Sequence, residues 1–259
     1  FSFLSIFTLI TFFIFLMISK YSYKIKNGSL LDRDFSKPQA FHRHAISRSG
    51  GVGVVISLNI FFLIYFLLYS NILYEYIFIS NLMFLIGFLD DIKIKISPFK
   101  RLLLMIFSLF FSIHFMSVEI SNVDIPFLLG FLKIDIFSSI FVLLCLLFII
   151  NGANLIDGFN GLLTFNLLTI NSILLFINIS NGNNEFSIFL IAQIIILLSF
   201  LLFNFPNAKI FLGDSGAYAM GSLVALNSII TNNLNPNYSS FFFCILLFYL
   251  FFEVFFSFL

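Results

Sequence analysis

The most informative segment of the chain lies at positions 151 to 161 and reads Asn151-Gly-Ala-Asn154-Leu-Ile-Asp157-Gly158-Phe-Asn160-Gly161. It directly follows a predominantly apolar run, Ile136–Ile150. Its four polar side chains are spaced three positions apart, and residues three apart are neighbours on one helix face. The pattern predicts amides and a carboxylate at the mouth of a membrane span, where such groups are costly and typically mark a functional site. The alternative interpretation is helix packing, with Asn side chains bonding across a bundle.

The composition is typical of a polytopic membrane protein. Of 259 residues, 61% are hydrophobic and only 10% are charged, and the mean hydropathy is +1.11. These values exclude an ordinary soluble domain. Apolar runs of near-spanning length predict an all-α helical membrane bundle with nine spans. The runs are Phe1–Ser19, Val52–Tyr69, Leu73–Leu89, Leu102–Val118, Ile136–Ile150, Leu162–Ile179, Phe186–Phe203, Ala217–Ile230 and Phe241–Leu259.

The spacing of these runs leaves no room for a soluble domain. We therefore expect residues 1–259 to form a single transmembrane domain, and we expect no nucleic-acid partner. The chain begins with Phe1 and stops within its ninth apolar run. We therefore expect it to be a C-terminally truncated part of a protein with ten or eleven spans.

The basic residues are distributed unevenly along the chain. Of the thirteen Lys and Arg, only Lys133 follows an even-numbered span. By the positive-inside rule, this asymmetry predicts an N-terminus outside the cell and odd-numbered spans that end in the cytoplasm. The basic loops could also hold anionic lipid head groups, and the orientation is the same under either interpretation.

Four inner connections contain nearly all the unusual polar residues, and the predicted orientation brings them to one membrane face. No repeat relates the first half of the chain to the second, so an inverted-repeat transporter gains no support. The connections run from Lys37 to Gly51, from Gly87 to Arg101, from Asn151 to Gly161 and from Asn204 to Gly216.

Carboxylates in these connections point to phosphate chemistry with a divalent cation. Mg²⁺ is commonly held by one or two protein carboxylates together with phosphate oxygens, and it neutralises charge during phosphoryl transfer. Lys and Arg would bind the remaining oxygens. We therefore predict a Mg²⁺ site, with Mn²⁺ as an alternative. Zinc is not favoured, because the paired His42 and His44 have no Cys nearby. The carboxylates are Asp90, Asp91, Asp157 and Asp214.

Each motif also has a purely structural interpretation. An aspartate pair can be a solvated helix end, and Gly213-Asp214-Ser215-Gly216 can be a turn with a helix cap. Lys209 can extend to the interface beside an apolar surface. The coincidence of all these motifs on one membrane face favours the functional interpretation.

The same motifs resemble the polyprenyl-phosphate N-acetylhexosamine-1-phosphate transferases of the MraY/WecA type. The resemblance covers the whole chain in order and favours the WecA-like branch. Phe88-Leu-Asp90-Asp91 is similar to the family's aspartate pair, and the segment from Asn151 to Leu162 resembles its NxxNxxDGxDGL element. Ala208 to Gly216 resembles its AKxFxGDxGS element, and His42 to Gly51 its first inner loop, which ends in Gly-Gly.

The resemblance implies a bacterial inner-membrane enzyme with its active site facing the cytoplasm. Such an enzyme moves an N-acetylhexosamine-1-phosphate, or a related sugar-1-phosphate, from a UDP-sugar to undecaprenyl or another polyprenyl phosphate and releases UMP. This step would initiate a lipid-linked cell-envelope glycan such as lipopolysaccharide O-antigen, and a homodimer is compatible with it. The alternative function from another class is a cation-coupled transporter, whose site would lie near the membrane midplane.

The resemblance also implies roles for the metal-binding and catalytic candidates. Asp214 would ligate Mg²⁺, with Asn154 supplying an amide oxygen. Asp90 and Asp91 would lie beside the lipid phosphate and the metal. Lys100 matches a basic residue that the family directs at the pyrophosphate.

The remaining implied roles concern the nucleotide and the anionic substrate. Asn160 would contact the uracil ring, with Asp157 as a catalytic candidate beside it, while Arg48 and Lys209 would bind substrate. Asn160 replaces an Asp found in many members, so its hydrogen bonding to uracil would differ. The histidine-containing fifth inner loop of the family would follow Leu259.

Overall fold

The helices of the computed structural model follow the apolar runs of the sequence. The structure describes residues 2–21, 24, 30–32, 45–70, 73–94, 96–121 and 123–257. Within these residues it contains eleven α-helices and one antiparallel two-stranded sheet. The elements are α1 Ser2–Tyr21, β1 Leu31–Asp32, β2 Ile46–Ser47, α2 Gly50–Tyr69, α3 Tyr74–Asp91, α4 Pro98–Met116, α5 Pro126–Leu132, α6 Asp135–Ile156, α7 Leu162–Ser180, α8 Asn184–Asn204, α9 Gly213–Leu234, α10 Ser240–Leu246 and α11 Phe248–Phe256.

Six of the described helices are long and apolar enough to cross a membrane, namely α1, α2, α4, α6, α7 and α8. They confirm the prediction of an all-α, multi-pass membrane protein. Helix α3 has 18 residues but contains Glu75, Asp90 and Asp91, and α9 is less apolar because other helices surround it. The count of nine spans and the outward-facing N-terminus stay predictions.

Helix α6 extends beyond its apolar run and changes the expected geometry of the 151–161 stretch. It continues to Ile156, so Asn151 and Asn154 lie on the helix, whereas Asp157 is its C-cap residue. Asn160 lies beyond the helix in a turn. The prediction of a single helical stripe of four polar residues is therefore wrong for its second half. The helix ends before Gly158, a residue with low helix propensity.

Two further segments differ from expectation. The segment before α6, which lies outside the nine apolar runs, contains the short helix α5. Pro126 occupies its first turn, where the missing N–H has no helical partner to lose. The ninth apolar run is divided at Leu247 into α10 and α11.

Helix α9 lies at the centre of the bundle. Every residue from Ser215 to Ile229 is buried, and α2, α3, α6 and α7 all pack against this helix. A helix surrounded on all sides needs small residues wherever neighbouring backbones approach closely. Gly216, Ala217 and Gly221 meet this need on α9.

Buried amides connect α9 to α7 and α8. Asn227 Nδ2 donates to Asn171 Oδ1 at 2.9 Å and to Gln193 Oε1 at 2.8 Å, and Gln193 Nε2 donates back to Asn227 Oδ1 at 3.2 Å. All three side chains are fully buried. Polar groups inside a membrane must be satisfied internally, so these bonds hold the three helices in register. We call Asn171, Gln193 and Asn227 the amide cluster.

We predict that Asn227→Leu lowers the unfolding free energy by about 1–3 kcal/mol, because it leaves buried partner groups on α7 and α8 without hydrogen bonds. The measurement is reversible unfolding of the purified protein in mixed micelles. Asn181→Leu is the matched control, since Asn181 is an exposed residue at the C-cap of α7 whose amide donates to the Ile177 carbonyl of its own helix. Equal losses in the two variants would contradict a stabilising role for the amide cluster.

Candidate active site

Several helix ends meet at one end of the bundle and bring five charged residues together. Asp90 and Asp91 end α3, and Asp214 lies in the first turn of α9. Arg101 lies in the first turns of α4, and Arg48 precedes α2. We call these five residues the carboxylate cluster. The structure thus joins three of the four inner connections that the sequence placed on one face.

Asp91 caps the N-terminus of α9. Its Oδ1 accepts a hydrogen bond from Asp214 N at 3.1 Å, and its Oδ2 accepts one from Ser215 N at 3.0 Å. The first N–H groups of a helix have no partners within the helix and carry partial positive charge. The Asp91 side chain, which is 0% exposed, therefore supplies the missing acceptors.

Gly213 permits this cap for two reasons. Its φ of +76° lies in the left-handed region, and a Cβ on it would lie 2.7 Å from both carboxylate oxygens of Asp91. Gly51 allows a second close approach, since a Cβ there would clash with Gly216 N. The glycines of two inner connections therefore bring the starts of α2 and α9 into contact.

Arg101 bridges two carboxylates. Its Nη1 lies 3.0 Å from Asp90 Oδ2 and 3.0 Å from Asp214 Oδ2. Its guanidinium also lies over the Tyr218 ring, 5.7 Å from the ring centroid. Two neighbouring carboxylates repel each other when both are ionised, and Arg101 offsets that repulsion.

The structure brings Arg101, rather than Lys100, into contact with the carboxylates. Ser97 caps α4 and Pro98 occupies its first position. Successive side chains on a helix point about 100° apart, so this start directs Arg101 to the cluster and leaves Lys100 exposed. The role predicted for Lys100 stays a prediction.

Arg48 connects the small sheet to the carboxylate cluster. Its Nε and Nη2 donate to Asp32 Oδ2 at 3.1 and 2.8 Å, and its Nη1 lies 3.7 Å from Asp214 Oδ1 and 3.9 Å from Asp91 Oδ1. Burial lowers the pKa of the Arg48 guanidinium, but Asp32, Asp214 and Asp91 more than offset that effect and leave the pKa above its ordinary value. Arg48 is therefore a permanent cation.

Asp157 lies beside this cluster at the end of α6. Burial raises the pKa of its carboxyl well above the ordinary value, and the charges of Asp214 and Asp91 raise it further, whereas Arg48 lowers it. Asn154 is half-buried in the last turn of the same helix. The fourth inner connection thus meets the other three at this end of the bundle.

Asn204 ties the 151–161 stretch to the segment before α9. Its Oδ1 accepts from Gly161 N at 2.7 Å, and its Nδ2 donates to Ile210 O at 3.0 Å. Asn160 is exposed, and its Nδ2 donates to Pro206 O at 3.0 Å. Lys209 has an exposed side chain.

Three residues of the site were not assigned a role from sequence. Arg101 and Asn204 lie in the predicted inner connections, so their positions in the sequence already indicated that both lie near the site. No sequence pattern pointed to Asp32, because its contact with Arg48 depends on the pairing of β1 with β2, which places Asp32 opposite Ile46. The predicted first-loop residues His42 and His44 lie outside the described residues.

The oxygen donors fit a Mg²⁺ ion that is shared with a phosphate ligand. Within the described part of the chain, no three His, Cys, Asp or Glu side chains form a ready metal site. Mg²⁺, however, commonly uses one or two carboxylates and completes its shell with water and phosphate oxygens. Asp214 and Asp90 supply such carboxylates. Asp91 is less suited, because both its oxygens accept backbone N–H groups.

Comparison with known proteins defines the class. Residues 73–232 match the model for Glycosyl transferase family 4, and because this is more than half of the chain, the chain belongs to that family. The matched region includes Asp90, Asp91, Asp157 and Asp214.

Individual relatives have more specific names. A phospho-N-acetylmuramoyl-pentapeptide-transferase of Clostridium perfringens is 34% identical over 154 residues, which cover 56% of this chain and 48% of the relative. The Clostridioides difficile protein of the same name is 31% identical over 160 residues, or 58% and 50% of the two chains. The Leuconostoc mesenteroides protein is 40% identical over 107 residues, or 41% and 33%. The chain thus spans about half the length of the first two relatives.

These comparisons confirm the resemblance at the level of the family. Together with the six apolar helices, they indicate a bacterial multi-pass membrane protein. They do not decide between the WecA-like and MraY branches, and the names of the relatives give no support to the expected role in lipopolysaccharide O-antigen synthesis. Family membership also does not favour the transporter alternative.

We predict that Gly213→Ala destabilises the protein by about 1–2 kcal/mol more than Gly182→Ala does, because the new methyl group displaces the Asp91 cap. Gly182 is a matched control, since its φ is +79° but nothing lies within 4 Å of its Cβ position. Reversible unfolding of both variants measures the difference. Equal losses would show that backbone strain alone accounts for the effect.

Proposed function

We propose that the full-length protein transfers a sugar-1-phosphate from a UDP-sugar to a polyprenyl phosphate and releases UMP. The observation that carries this proposal is the carboxylate cluster, in which Arg48 and Arg101 contact three carboxylates at one end of a membrane bundle. A site at the membrane surface suits one substrate that is dissolved in water and another that is anchored in the bilayer. Membership of Glycosyl transferase family 4 supports the same reaction class.

The names of the relatives suggest which donor to test first. Because they are phospho-N-acetylmuramoyl-pentapeptide-transferases, we propose UDP-N-acetylmuramoyl-pentapeptide as the first candidate and other UDP-N-acetylhexosamines as the second. The acceptor is undecaprenyl phosphate or another polyprenyl phosphate. The bilayer supplies this acceptor, and we propose that the site faces the cytoplasm. A homodimer stays a prediction.

We propose direct displacement. An oxygen of the acceptor phosphate attacks the β-phosphorus of the UDP-sugar, and the bond from that phosphorus to the bridging oxygen breaks. UMP leaves with the electron pair of that bond. Phosphate monoesters have a second pKa of about 6, so at neutral pH the acceptor needs little help from a base. A covalent intermediate on Asp91 is disfavoured, because both its oxygens accept hydrogen bonds from α9.

The arginines and the oxygen donors of the site have different proposed roles. Arg48 and Arg101 stabilise negative charge on the phosphoryl oxygens, since fixed charged donors act strongly in a water-poor site. Asp214 and Asp90, with the Asn154 amide oxygen, would hold Mg²⁺ or Mn²⁺. When bound, such an ion supplies positive charge to the pyrophosphate.

The other candidates surround this centre. Asp157 and Asn160 are proposed to bind the uridine, as the family resemblance implies. Lys100 and Lys209 have exposed side chains, and exposed cations increase the local concentration of an anionic donor.

The reaction can be tested with membranes that contain the full-length protein. We expect a lipid-linked sugar and UMP to form from undecaprenyl phosphate and one of the candidate donors. Chelation should stop the reaction, and Mg²⁺ should restore it. Asp214→Asn should lower the rate about 1,000-fold, or about 4 kcal/mol in barrier. The control is Asp124→Asn, because Asp124 caps α10 away from the site. Failure of every UDP-sugar as donor, or full activity in Asp214→Asn, would contradict the proposal.

A second pair of variants separates the two neighbouring cations of α4. We predict that Arg101→Met lowers kcat/KM by about 100-fold or more, because it removes a donor at the phosphoryl group. Lys100→Met should lower kcat/KM less than about tenfold, as expected for a screened surface charge. Steady-state rates at fixed ionic strength measure both. A larger loss of kcat/KM in Lys100→Met than in Arg101→Met would instead assign the phosphoryl contact to Lys100.

A further inference from the structure

A cavity of about 550 Å³ opens at the end of the bundle opposite the carboxylate cluster. We call it the aromatic cavity. It lies where α2 and α9 end and where α8 begins, and the residues that define its chemistry are Tyr65, Asn183, Asn184, Glu185, Phe186 and Phe189. Helix α2 has 20 residues, so at 1.5 Å per residue its two ends are about 30 Å apart. The aromatic cavity is therefore separate from the proposed active site and lies near the other surface of the membrane.

The charge of the aromatic cavity is negative. Among the described residues that line it, Glu185 is the charged one. Glu185 lies in the first turn of α8. The cavity thus attracts a cation.

Three of the nine residues that line the aromatic cavity are aromatic, namely Tyr65, Phe186 and Phe189. The centroids of Phe186 and Phe189 are 6.2 Å apart, and the buried Tyr76 ring packs edge-on against Phe189 at 4.3 Å. The Tyr76 hydroxyl is buried with no hydrogen-bond partner among the described residues. Aromatic rings attract ammonium ions through cation–π interactions, and a neighbouring carboxylate adds the attraction of an opposite charge.

The amide of Asn183 adds an acceptor to this lining. Its Nδ2 donates to Asn178 Oδ1 and to Asn235 Oδ1, both at 3.2 Å. These two bonds use both hydrogens of the amide and fix its plane. The atom that remains is Oδ1, which can only accept. An ammonium group, which only donates, matches this acceptor.

We propose that the aromatic cavity binds the primary ammonium group of a bilayer phospholipid of the phosphatidylethanolamine class. Lipid head groups occupy the depth at which the helix ends lie, so the ligand is present at high local concentration. Leu73 and Leu234 also line the cavity and offer an apolar surface to the lipid next to its head group.

Native mass spectrometry of the detergent-purified protein tests this site. Phosphatidylethanolamine and phosphatidylglycerol with identical acyl chains are titrated separately, so that only the head group differs. We expect the wild type to retain phosphatidylethanolamine about tenfold better, and we expect Glu185→Gln to abolish that preference. Glu185→Asp should restore part of it.

Two controls make the result decisive. Glu119→Gln removes an exposed carboxylate that does not line the cavity, and it should leave the preference unchanged. Phe186→Leu keeps the apolar volume but removes a ring, and it should weaken the preference. Soluble phosphoethanolamine should compete only at far higher concentration than the lipid. Equal retention of the two lipids by the wild type, an unchanged preference in Glu185→Gln, or binding of the soluble amine as tight as that of the lipid would each overturn the proposal.

Discussion

The hydrogen bonds from the start of α9 to the Asp91 carboxylate are the contact on which the geometry of the carboxylate cluster depends. They fix where α9 begins, and therefore where Asp214 lies relative to Asp90. Arg101 can bridge these two carboxylates only because the end of α3 lies beside the start of α9. Gly213 and Gly51 keep the approach close enough. Of the predicted pair, Asp91 thus fixes the position of α9, whereas Asp90 contributes a carboxylate oxygen to the contact with Arg101.

The two arginines of the carboxylate cluster are held in different ways. Arg48 is anchored by Asp32, a partner outside the helices, through two hydrogen bonds of 2.8 and 3.1 Å. Arg101 has its carboxylate partners within the cluster itself. In the proposed reaction, the pyrophosphate of the donor would compete with Asp90 and Asp214 for Arg101, but it would meet Arg48 already oriented. Preorganised charge of this kind needs little rearrangement during a reaction.

Much of this architecture could be predicted from sequence, because membrane spans are encoded by the length and apolarity of local runs. The grouping of Asp90, Asp91 and Asp214 followed from orientation and order alone. The resemblance favoured Lys100, and the contact of Arg101 with the carboxylates was not predicted, since it depends on the exact residue at which α4 starts. The cap formed by Asp91 and the contact of Arg48 with Asp32 also escaped prediction, because each joins segments far apart in the chain. The aromatic cavity likewise exists only where several helix ends meet.

The polarity of α9 has a consequence for how the protein enters the membrane during synthesis. Helices α7 and α8 are long and apolar enough to cross a membrane, whereas α9 is less apolar than these helices. Asn227 and Thr231 lie within it, and amides and hydroxyls that face lipid are unfavourable. The helices that satisfy these groups precede α9 in the chain, with Asn171 and Gln193 already in place to receive it. We therefore expect α9 to enter the bilayer together with the helices it packs against, because α7 and α8 supply the hydrogen bonds that lipid cannot.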